Sequence, residues 1–69
     1  MITSLRKSYS SLSAFEICQA IAGGTIKNNW LSDADIRLAE SATEDNAEQI
    51  LSEIDNSRSH AYAFWQQFN

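Results

Sequence analysis

TEDNAEQILSEIDNSRSHAYAFWQQF, residues Thr43 to Phe68, decides the fold, because its apolar phase survives its own weakest helix formers. Ala47, Ile50, Ile54, Ser57, Ala61, Phe64 and Phe68 keep alternating steps of three and four, the spacing of one face of an α-helix. Asp55, Asn56, Ser57 and Ser59 each cost a helix up to about 0.7 kcal/mol relative to Ala, and a turn placed there would usually reset the phase. The reading favours one long helix over about 44–68, with a kink near Asn56 or a short break there as the alternatives. Thr43 opens it with a side chain that can bond back to the backbone three residues on, followed by acids where a helix N-terminus favours negative charge.

Working towards the N-terminus, the same device recurs twice. Ser32-Asp33-Ala34-Asp35 reads as a loose version of a capping box and Ser13-Ala14-Phe15-Glu16 as a full one. The first leads into a stripe of Leu31, Ala34, Leu38 and Ala42, flanked by Ile36 and Ala39. The second leads into Ala14, Ile17, Cys18 and Ile21, with Phe15 and Ala22 beside them. Gly23-Gly24 are the only glycines, Pro is absent, and the pair supplies the left-handed stop that helices favour at their C-termini. Residues 25–31 read as a loop and residues 1–10 as a flexible or extended arm. The expectation is a single all-α domain, 1–69, a small bundle of three to four helices.

Size constrains how such a domain holds together. Sixty-nine residues bury only about 60% of the unfolded surface, and a lone core of this size contributes roughly 3–5 kcal/mol. Cys18 is the only cysteine and His60 the only histidine, so neither an internal disulfide nor a four-ligand zinc site can help. Well-ordered helix packing and self-association remain, and a homodimer is expected. A lone cysteine fits a reducing compartment, and no apolar run is long enough for a membrane span, so a cytoplasmic protein without membrane contact is expected. The composition is of the kind associated with phage and mobile-element proteins.

Charge is the strongest functional signal. Asp33 to Asp55 hold eight of the nine acids against Arg37 alone, a net −7, whereas the first twenty-seven residues net +2. An acidic face repels nucleic acid and attracts basic protein surfaces. Asp33, Asp35, Glu40, Glu44, Asp45, Glu48 and Asp55 are therefore the candidate contacts for a basic protein partner. On one continuous helix, Glu44 and Glu48 would lie one turn apart and Asp55 two turns further, about 6 Å between successive carboxylates, close to the spacing of phosphates on a nucleic-acid strand. The first function expected is a small non-enzymatic regulator or inhibitor that mimics nucleic acid towards a basic groove. The alternative is a structural or assembly protein that self-associates through Tyr62, Phe64, Trp65 and Phe68, whose rings crowd seven residues and suit a core or an interface equally.

Other chemistry is poorly supported. Ser57 and His60 could touch on one helical turn, but nothing marks an orienting acid or oxyanion donors. Asp33-Ala34-Asp35 begins like a calcium loop and then places Arg37 at a ligand position without the required glycine. A helix-turn-helix drawn over 36–54 would have a recognition helix with no basic residue, which all but excludes that reading, and no direct nucleic-acid contact is expected. No catalytic residue, metal or cofactor is expected.

Overall fold

The computed structural model describes residues 2–27 and 30–68, and it is all-helical over them. Four helices follow in order, α1 (Leu5–Ser8), α2 (Ala14–Ala22), α3 (Asp33–Glu40) and α4 (Ala47–Gln66). α2, α3 and α4 pack against one another, and α1 lies on α2. The core gathers Leu5, Ile17, Cys18, Ile21, Ile26, Leu51 and Ile54, with Ala14, Ala39, Ala47 and Ile50 filling between.

Both inner capping boxes form. Ser13 N–H donates to Glu16 Oε1 at 2.9 Å while Glu16 N–H donates to Ser13 Oγ at 3.2 Å. The donated hydrogen bonds hold the Glu16 carboxyl below its ordinary range. At the far end of α2 Gly24 takes φ 82°, and Thr25 N–H reaches Ala20 O at 2.9 Å while Gly24 N–H reaches Ile21 O at 3.2 Å. This Schellman closure needs a left-handed residue, which glycine supplies without strain. It turns the chain so that Ile26 enters the core, although the whole of 25–31 reads as loop from sequence.

The N-terminal arm is corrected. Ser4 Oγ accepts the Lys7 N–H at 3.3 Å and starts the single turn of α1, which drives Leu5 fully into the core. Residues 2–8 are thus part of the globule. Ser4 lacks a partner Glu or Gln three residues on, so this start carries half the usual signature.

The α3 stripe is also corrected. Ala34 is exposed and Leu38 is 36% exposed, while the inner face is Asp35 and Ala39 with Leu31, Ile36 and Ala42 partly covered. Asp35 is only 2% exposed. Its Oδ2 accepts the Ser32 N–H at 3.0 Å and the Ser57 hydroxyl at 3.4 Å, and it lies at the positive end of α3. Those partners let a carboxylate occupy a core-facing position, and the helix rotates to present it there.

The long C-terminal helix is continuous from Ala47 to Gln66, about 30 Å at 1.5 Å per residue. The Thr43 device forms as well, with Thr43 N–H to Asn46 Oδ1 at 2.6 Å and Asn46 N–H to Thr43 Oγ1 at 3.3 Å. It closes a turn over Glu44–Asn46, so the helix begins at Ala47, where the apolar phase begins and three residues later than a cap at Thr43 implies. The core-facing residues are Ala47, Ile50, Leu51, Ile54 and Arg58; none of the described residues beyond Arg58 is buried. The molecule measures 37 × 22 × 20 Å, its long dimension exceeding the length of α4.

Candidate interaction surface

Three groups of functional candidates lie on this scaffold: the acids, an internal ionic node, and the aromatic end of α4. The acids divide. Asp33, Glu40, Glu44, Asp45, Glu48 and Glu53 are exposed, with Glu48 paired to Arg6 at 2.9 Å. Asp35 and Asp55 are withdrawn, which corrects their place on an outer face. With Glu44 in the turn before α4 and Asp55 facing inward, the row Glu44, Glu48 and Asp55 does not form one outer edge. A shallow pocket of about 250 Å³ opens between the starts of α2 and α4, lined by Ser13, Ala14, Phe15, Glu44, Ala47 and Glu48.

Asp55 belongs to an internal node. Its Oδ1 accepts Arg58 Nη1 at 2.6 Å and the Leu5 N–H at 3.1 Å, and the same Nη1 donates to Thr3 O at 3.3 Å. Arg58 is 1% exposed. One carboxylate thus caps α1, neutralises a buried guanidinium and fixes the N-terminal segment to α4. Sequence reading did not single out Arg58, because a guanidinium on a helix reads as solvated until its partner from the other end of the chain is in view. Ser57 does not engage His60: its hydroxyl donates to Asp35, and His60 is exposed.

The aromatic end has two sides. On one, Trp30 meets Tyr62 edge-on, centroids 5.4 Å apart at 86°, and tilts over Trp65 at 5.4 Å; Gln66 Nε2 donates to Tyr62 OH at 3.0 Å. Trp30 adopts φ 63°, a left-handed conformation that large side chains rarely occupy. Its indole packing on α4 offsets that strain. Reading 25–31 as a plain loop overlooked Trp30, although an aromatic two residues before the N-cap Ser32 was the available signal. On the other side Phe64 and Phe68 touch only at ring edges, 5.1 Å apart, and stand 63% and 72% exposed; Trp65 is 46% exposed. The core alternative therefore fails within one chain for Phe64 and Phe68, whereas Trp65 is partly covered by Trp30 and Tyr62.

Cys18 lies in the core, its Sγ 4.0 Å from Ala47 O, and burial pushes its thiol pKa up. Among the described residues no three His, Cys, Asp or Glu side chains gather closely enough to hold a metal, and no helix is long and apolar enough to cross a membrane. No protein-family model, curated protein or solved structure matches the chain.

Proposed function

We propose that this protein is a non-enzymatic binding module whose contact surface is the exposed aromatic end of α4. One observation carries the reading: Phe64 and Phe68, two large apolar rings on adjacent turns, are left mostly in water by a chain that buries its aliphatic residues well. A grouped apolar patch on an otherwise polar surface marks an interaction site, and aromatic anchors dominate binding energetics. The double variant Phe64→Gln/Phe68→Gln should keep its helix content and lie within about 0.5 kcal/mol of the native stability, as exposed substitutions do. Affinity capture from the native host should then lose whatever the native chain retains, whether other proteins or further copies of itself. An unchanged set of captured proteins would refute the surface.

A second reading rests on the acids that stay exposed. Glu44 and Glu48 flank the pocket beside Phe15, an arrangement suited to a basic side chain of a protein partner. In this reading the protein is a regulator or inhibitor acting on a basic, nucleic-acid-binding surface. Exposed charges steer association and are screened by salt. Binding that weakens steeply with salt and disappears in Glu44→Lys/Glu48→Lys would favour it over the aromatic surface; salt-independent binding would exclude it.

A further inference from the structure

We propose that the occupant of the aromatic surface is a second copy of this chain, its α4 antiparallel to the first, with Ala61 opposite Phe68 and Phe64 opposite Trp65. This rests on the aromatic end being the contact surface and adds the identity of the partner.

Four observations point the same way. Ala61, Phe64, Trp65 and Phe68 fall at i, i+3, i+4 and i+7, the seam along which two helices pack knobs into holes. All four are exposed, Trp65 the least of the three aromatics because Trp30 and Tyr62 cover part of its ring. The seam is self-complementary in one direction only: antiparallel pairing sets the small Ala61 against the large Phe68 at both ends. Parallel pairing would put Phe68 against Phe68 and leave a gap at Ala61.

Charge agrees with this direction. Ser59 to Phe68 contains no Asp, Glu, Lys or Arg, so a two-fold axis there brings no like charges together. The acids lie on the other side of Arg58, and antiparallel pairing carries the two acidic bodies apart. Glu53 lies some eleven residues from the seam centre, so the two copies of Glu53 stand roughly 35 Å apart along the axis, several screening lengths. Parallel pairing would set them side by side.

Area fixes the strength. With roughly 150–250 Å² per aromatic side chain, the exposures of Phe64, Trp65 and Phe68 leave roughly 300–450 Å² of ring surface per copy. Two copies with their flanking small residues reach about 1,000 Å², the weak and reversible end of specific interfaces.

Sedimentation equilibrium between about 1 μM and about 1 mM, the range expected of so small an interface, tests the pairing. The native chain should pass from monomer to dimer. Ala61→Phe and Phe68→Ala should each weaken the dimer about tenfold or more, by clash and by gap respectively. Ala61→Phe/Phe68→Ala, which exchanges the large and small positions, should recover most of the loss, with helix content unchanged in all three. A native chain monomeric throughout would overturn the proposal, as would a double variant whose loss is the sum of the two single losses. A monomeric native chain whose partners are still lost in Phe64→Gln/Phe68→Gln would remove the second copy alone and leave the binding surface standing.

Discussion

Asp35, Asp55 and Arg58 are the residues whose places could not be read locally. Each is ionisable on an amphipathic helix, and such side chains are usually solvated. What turns them inward are partners 22 to 55 residues away: the Ser57 hydroxyl for Asp35, the Leu5 N–H for Asp55, and Thr3 O for Arg58. A single sequence gives no account of such pairings. Their consequence is measurable, because breaking a buried ion pair from one side strands a charge and costs about 3–5 kcal/mol. That equals the stability expected of the whole core. Arg58→Ala should therefore be largely unfolded at 25 °C, read as loss of the helical circular-dichroism signal. A urea midpoint equal to the native one would make the node incidental.

At the level of elements, the legible parts were those with local causes. The two inner capping boxes, the Gly23-Gly24 stop and the unbroken phase of α4 are each specified within a few residues, and each appears in the structure. α1 and the inner face of α3 were misjudged because one is held by contacts from α4 and the other is rotated by a buried acid. Gly24 allows a clean test. At φ 82° a Cβ would meet nothing within 4 Å, so a substitution there reports backbone conformation without a packing clash. Gly24→Ala should lower the urea midpoint by about 1–2 kcal/mol equivalent, and Gly24→Asn by less, since Asn tolerates the left-handed region. Equal stability of all three chains would show that the α2 closure does not set the path into Ile26.

For the whole molecule, α4 divides at Arg58 into a half that contributes buried residues and a half whose described residues are not buried, and the proposed contact surface lies on the second. The sequence offered Phe64 and Phe68 as core or interface; the choice depended on what the assembled fold places over them, which no single segment specifies. Cys18 reports on the integrity of that assembly. Fully covered, and with burial disfavouring its thiolate, it should react with a thiol reagent only when the core opens. Its labelling rate should accelerate with urea along with unfolding, while a fast reaction in native buffer would mean the core opens locally around α2. The fastening of Leu5 to Asp55 and Arg58 also has a consequence in time. The Leu5 N–H meets its acceptor across 50 residues of chain, and at ~5–20 residues per second a ribosome needs roughly 3–10 s to cover that distance. For that interval the Leu5 N–H has no acceptor and the side of α2 that α4 will cover stays wet. Closure of this core waits for Asp55 and Arg58, and a nascent chain interrupted before Arg58 is added would present its aliphatic interior to the cell's chaperones and proteases.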